Sequence, residues 1–201
     1  RFRFQKKSMS RSTRFWKKTL KAPEQRNVLI YGRRRVGKSE LIKQALTDLA
    51  DAATVYYECR QTSEADNLES LSALVAEALG FPPLAFTGIR ELIEFLFAQA
   101  KDKHITLVLD EYPYLRDAVK GLDSILQTSI DAHREGSRLN IVLCGSYVEI
   151  MKSLIEHESP LYGRIDLALE LKPMDYFDAA KFYPAFSPED KVRLYSVFGG
   201  I

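Results

Sequence analysis

The chain has 201 residues, 46% hydrophobic and 28% charged, enough for one sizeable α/β core and a small accessory module. No apolar stretch approaches the ~18 residues of a membrane helix, so no membrane partner is expected. The two isolated cysteines, Cys59 and Cys144, give no disulfide framework; the expected setting is a reducing cytoplasm.

The elements alternate. A helix from about Thr13 to Leu20 leads into a short apolar strand, Asn27–Tyr31, and then a helix reaching about Ala50. A second strand, Ala53–Glu58, carries the β-branched and aromatic run Thr54-Val55-Tyr56-Tyr57. Amphipathic helices follow near Ala65–Leu79 and Gly88–Ala100, parted by Gly80-Phe81-Pro82-Pro83. His104–Glu111 reads as a third strand, Tyr114 to His133 as helical, Leu139–Gly145 as a fourth strand with a helix to about His157, and Asp166–Leu171 as a fifth. Helical patterns at Tyr176–Tyr183 and Pro188–Phe198 close the chain. This alternation predicts βαβ units in a doubly wound parallel sheet, expected in the order 5-1-4-3-2. The division expected is a basic arm over residues 1–26, a core over 27–173 and the start of a helical lid over 174–201. With no initial methionine and an end at Gly199-Gly200-Ile201, the chain reads as part of something longer.

The net charge of +2 hides an asymmetry. Residues 1–21 carry nine Lys/Arg and no acid, which leaves −7 on the remainder. A basic arm with Phe2, Phe4, Phe15 and Trp16 fits nucleic acid, bases stacking on the rings. It also fits an amphipathic first helix with solvated lysines, or a targeting leader.

Between the first strand and its helix lies Gly32-Arg33-Arg34-Arg35-Val36-Gly37-Lys38-Ser39, which fits the phosphate-binding pattern G-x-x-x-x-G-K-[ST] in its proper strand–loop–helix context. Glycines let backbone N–H groups wrap a polyphosphate at a helix N-terminus. Gly32, Arg33, Arg34, Arg35, Val36, Gly37, Lys38, Ser39 and Glu40 are the expected nucleotide-binding residues, Lys38 supplying a cation and Ser39 a Mg²⁺ ligand. The chain contains no N-K-x-D guanine motif, so ATP is favoured over GTP.

About seventy residues after Lys38, the run Ile105–Leu109 ends in Asp110-Glu111. Asp110 is placed to hold Mg²⁺ and Glu111 to orient and polarise water. Ser146, just past the fourth strand, either touches the γ-phosphate or the attacking water or caps the next helix. Arg164, in Ser159-Pro160-Leu161-Tyr162-Gly163-Arg164, either reaches a neighbouring subunit's nucleotide or structures its own loop through carbonyls or Glu158. Catalysis is thus assigned to Lys38, Glu111, Ser146 and Arg164, and metal binding to Ser39 and Asp110.

The loop with Tyr31, Leu109-Asp110-Glu111-Tyr112-Pro113-Tyr114-Leu115, Cys144-Gly145-Ser146, Pro160-Leu161-Tyr162-Gly163-Arg164 and Gly199-Gly200-Ile201 together resemble the prokaryotic ATPases often called the archaeal ATPase family. These belong to the STAND branch of the P-loop proteins and are related to AAA+ and origin-recognition initiators. The resemblance implies Mg-ATP binding, ordinarily slow hydrolysis, a lid continuing past Ile201 and, in many members, a winged-helix or nuclease-like C-terminal domain. Nucleic acid, through the arm or such a domain, and a second copy of the chain are the partners it suggests. The family's Gly-Arg-x-x-Glu-Leu box for adenine is missing: Met9 to Leu20 is basic and lacks Glu. Three functions remain open on these residues: an ATPase that drives or times a switch, a nucleotide-gated binding module with negligible turnover, and a small-molecule kinase.

Overall fold

The computed structural model describes residues 18–198 apart from 48, 50, 51, 174 and 182. Most of the helix expected over Thr13–Leu20, the bulk of the basic arm and Gly199-Gly200-Ile201 lie outside the described residues. In chain order the elements are β1 (Asn27–Tyr31), α1 (Lys38–Leu46), β2 (Ala53–Glu58), α2 (Glu64–Leu79), α3 (Ile89–Gln99), β3 (Ile105–Asp110), α4 (Tyr112–Ala118), α5 (Leu122–His133), β4 (Leu139–Gly145), α6 (Val148–Ser153), β5 (Leu167–Glu170), α7 (Tyr176–Ala180) and α8 (Pro188–Phe198).

The five strands form one parallel sheet in the order β2-β3-β4-β1-β5, the 5-1-4-3-2 arrangement expected from the sequence. β1, β3 and β4 are buried along their whole length, as central strands covered on both faces must be. Strand alternation splits their side chains between two cores. Leu29, Leu107, Leu109, Ile141 and Leu143 face α2 to α6, through residues such as Leu71, Phe97, Leu126 and Met151. Val28, Ile30, Val108, Val142 and Cys144 face Leu41, Ile42 and Ala45 of α1.

Four boundaries differ from the periodicity. The helical stretch from Tyr114 to His133 is two helices, because Gly121 takes a left-handed φ of 75° that caps α5. α6 stops at Ser153, short of His157, and α1 stops at Leu46. Glu111 has left the strand and caps α4 with φ 52°. Pro113 then falls in the first turn of that helix, where a missing N–H costs nothing.

Asn140, fully buried at the start of β4, fastens the approach to β1. Its Nδ2 donates to the Leu20 carbonyl at 2.8 Å, its Oδ1 accepts from the Arg26 amide at 3.1 Å, and His104 Nε2 lies 2.8 Å from Nδ2. After β5, α7 and α8 pack together, with Tyr176 edge-on to Tyr195 at 5.7 Å between ring centroids. Among the described residues no helix is long and apolar enough to cross a membrane.

Candidate nucleotide-binding site

β1 delivers the chain to Gly32 at the C-terminal end of the sheet, between β4 and β5. Gly32 has φ 153°, and a Cβ there would stand 2.2 Å from the Leu171 carbonyl oxygen. The loop needs a glycine here because the end of β5 crowds it. Arg35 holds a left-handed φ of 67° and Gly37 one of 90°, and Gly37 caps α1. The backbone N–H groups of Gly37, Lys38, Ser39 and Glu40 have no acceptor among the described residues. They form a concave helix N-terminus of the kind that suits a phosphate oxygen. Arg33, Arg34, Arg35 and Glu40 are exposed, while Val36 is half-buried.

Lys38 is 6% exposed and folds back over its own loop, its Nζ donating to the Gly32 carbonyl at 3.0 Å and the Arg33 carbonyl at 3.1 Å. Ser39 Oγ donates to Asp110 Oδ2 at 2.7 Å. The same oxygen accepts from the Tyr56 hydroxyl, and Oδ1 accepts from the Glu111 amide at 3.0 Å. Burial alone would raise the Asp110 pKa. Hydrogen bonds from Tyr56, Ser39, Cys144 and the Glu111 amide outweigh it and hold the carboxyl below its usual range, so Asp110 is ionised. Tyr56 moves the other way, raised first by burial and then by its bond to Asp110, so it stays a protonated donor.

The donor set fits magnesium. A hydroxyl and an ionised carboxylate are hard oxygen ligands that leave room for phosphates and water, the way Mg²⁺ is ordinarily held. Among the described residues no cluster of three or more His, Cys, Asp and Glu offers an all-protein cage.

Glu111 and Ser146 come together. Glu111 Oε2 accepts from the Ser146 amide at 3.1 Å and its hydroxyl at 2.9 Å. Gly145 makes this approach achievable: a Cβ there would lie 2.6 Å from Met151 Sδ and 2.9 Å from Pro113 Cδ. Its bare Cα lets α4 and α6 close over the end of β4. Ser146 is not the helix cap; Tyr147 occupies that position.

Arg164 stands apart from this group. Its Nε and Nη2 donate to the two oxygens of Asp131 at 2.8 and 2.6 Å, and Nη1 donates to the Tyr162 carbonyl. The carbonyl partner expected within its loop is present, at Tyr162, while the carboxylate is Asp131 of α5 and not Glu158. Cys59 and Cys144 are buried free thiols.

Sequence reasoning missed Tyr56, Tyr114 and Tyr147. Arg34 Nη2 donates to the Tyr114 hydroxyl at 3.0 Å and its guanidinium lies 5.9 Å from the Tyr147 ring centroid. The signal was spacing: Tyr114 follows Glu111 by one helical turn, and Tyr147 directly follows Ser146.

A family model described as an ATPase domain predominantly from Archaea matches residues 14–201. The chain belongs to this archaeal ATPase family. The ATPase domain is 30% identical over 175 residues to the uncharacterized protein MJECL04 of Methanocaldococcus jannaschii, covering 87% of the chain and 37% of that protein. Among solved structures it resembles a Walker-type ATPase of Pyrococcus abyssi, with TM-score 0.70, 21% identity, and coverage of 99% of the chain and 64% of that structure. It also resembles the Aeropyrum pernix ORC2 protein in ADPNP–ADP complexes, with TM-score 0.68, 17% identity, and 94% and 52% coverage. The A. pernix ORC1 protein in complex with DNA gives TM-score 0.63, 16% identity, and 93% and 50% coverage. At these identities the likeness to solved structures is one of fold, and the ATPase domain spans about a third of its curated relative.

Proposed function

We propose that the chain is a Mg²⁺-dependent ATPase module whose slow hydrolysis drives or times a conformational switch, in line with the STAND-branch resemblance of its motifs. The observation that carries this reading is the convergence of three strand ends: Lys38 and Ser39 after β1, Asp110 at the tip of β3 touching Ser39, and Glu111 held by Ser146 after β4. The loop amides and Lys38 bind the β- and γ-phosphates, Lys38 first releasing its two carbonyls. When bound, Mg²⁺ neutralises charge on the phosphate oxygens. Ser39 and Asp110 would hold it, directly or through its water shell. Glu111 orients water and takes its proton, with Ser146 fixing the carboxylate.

Calorimetry and phosphate release test this directly. Lys38→Ala should abolish nucleotide binding, and Glu111→Gln should keep ATP and lose turnover, because the amide keeps the shape but accepts no proton. Wild-type turnover by Glu111→Gln would remove Glu111 from the role.

A nucleotide-gated module with negligible turnover is the second reading. It is favoured by the double engagement of Glu111 Oε2 with Ser146, which must loosen before the carboxylate meets water. Turnover separates the two readings.

Arg164 is proposed to complete a neighbouring copy's site after leaving Asp131. The nine basic residues in the first 21 support nucleic acid as partner. Duplex affinity should then fall with salt at a log–log slope of about −0.9 per phosphate contacted, and deleting residues 1–21 should remove most of it. Two buried free thiols support a reducing cytoplasm.

A further inference from the structure

We infer that Tyr56 is a positioning residue for the metal-facing carboxylate of Asp110: its hydroxyl fixes Asp110 Oδ2 from the neighbouring strand and sets how readily the site takes Mg²⁺. The inference rests on the Mg²⁺-dependent ATP reading and adds a residue that no phosphate-loop motif contains.

Tyr56 lies on β2, the edge strand beside β3. In the parallel register Tyr56 pairs with Val108 and Glu58 with Asp110. Tyr56, Val108 and Asp110 therefore share the α1 face of the sheet, with Asp110 one pleat further along. A tyrosine spans that distance and a shorter side chain does not. The phenol donates to Oδ2, the oxygen that also accepts from Ser39.

The ring is held in its own right. Lys43, one turn after Ser39 on α1, places Nζ 5.2 Å from the Tyr56 ring centroid. Tyr56 is thus clamped between α1 and the sheet, with the phenol as its inward end. When the Ser39 hydroxyl turns to a metal, Oδ2 loses one of its two hydroxyl donors. On that oxygen the Tyr56 bond is the one that remains, and together with the Glu111 amide on Oδ1 it keeps the carboxylate from rotating.

Tyr56→Phe keeps the ring and the Lys43 contact and removes only the donor. The measurement is binding of a fluorescent ATP analogue by the full chain across a Mg²⁺ titration, with parallel points in EDTA and thermal melts of the free protein. The expected result is a rise in the half-saturating Mg²⁺ concentration on the order of tenfold, the usual consequence of deleting an outer partner of a metal ligand. Affinity in EDTA should match wild type, and the melting temperature should fall only by the few degrees that one lost hydrogen bond costs. An unchanged Mg²⁺ midpoint overturns the inference. Equal losses in EDTA and in Mg²⁺, or a variant that fails to fold, also overturn it by making Tyr56 a packing residue. If wild type gains no affinity from Mg²⁺ and Lys38→Ala binds as well as wild type, the ATP reading itself fails. If wild type responds to Mg²⁺ and Tyr56→Phe responds identically, only the Tyr56 assignment fails.

Discussion

Replacing Gly32 by alanine tests whether the phosphate loop is shaped by the edge of the sheet. The added Cβ would meet the Leu171 carbonyl oxygen at 2.2 Å; ordinary contact begins near 3.4 Å, so loop or strand must yield by about 1.2 Å. Leu171 is not free to retreat, since its amide donates to the Tyr31 carbonyl at 2.7 Å and closes the β1–β5 ladder. Losing that bond costs about 1 kcal/mol. Holding alanine at φ 153° costs a further 1–3 kcal/mol or so. The total of roughly 2–4 kcal/mol lowers the melting temperature by about 5–15 °C in a domain of this size. The same displacement moves the amides of the loop, so ATP affinity should fall at least about tenfold. Thermal denaturation and calorimetric titration read both effects. A variant with wild-type melting and wild-type affinity would refute the idea that β5 dictates the glycine.

Removing the Ser146 hydroxyl in Ser146→Ala deletes one of two bonds to Glu111 Oε2 and leaves the amide bond; kcat should fall about tenfold with KM unchanged, and a change confined to KM would refute the role. Arg164→Ala should lower turnover with ATP affinity intact and should regain activity when mixed with Glu111→Gln; no complementation, with turnover per molecule independent of concentration, would return Arg164 to bracing its loop against Asp131. His104 is held below its ordinary pKa of 6.5, first by burial and then by the charge of Arg138. The folded state therefore binds fewer protons than the unfolded state, and stability is fully present above about pH 6.5 and lost as pH falls through the lowered value. Urea midpoints from pH 8 to 5 should drop more steeply for wild type than for His104→Gln, and parallel slopes would refute the linkage.

The central strands and the phosphate loop were legible because their signals are local. Buried parallel strands read as unbroken apolar runs, and a glycine-flanked lysine between strand and helix has few other uses. Asp110 followed from its place at a strand tip. Tyr56 was not legible, because β2 reads as a half-buried strand of β-branched and aromatic residues, and only the register with β3 turns one tyrosine toward Asp110. The partner of Arg164 was hidden for the same reason: Asp131 lies 33 residues earlier, on a helix whose packing the sequence does not announce. The break at Gly121 was missed because glycine within a helical pattern does not reveal its φ.

The Asn140 clasp gives the sheet a mechanical input. Asn140 grips the backbone at Leu20 and Arg26, and its strand runs on to Gly145, next to the Ser146 that holds Glu111. A pull on the segment preceding β1 would enter β4 at Asn140, about 20 Å along a fully buried strand from the residue that restrains this carboxylate. If the basic arm takes up a partner and Glu111 orients water, as proposed, a load on the one would reach the other through β4. If Asn140→Ala leaves the response of turnover to arm-bound nucleic acid unchanged, the strand transmits nothing.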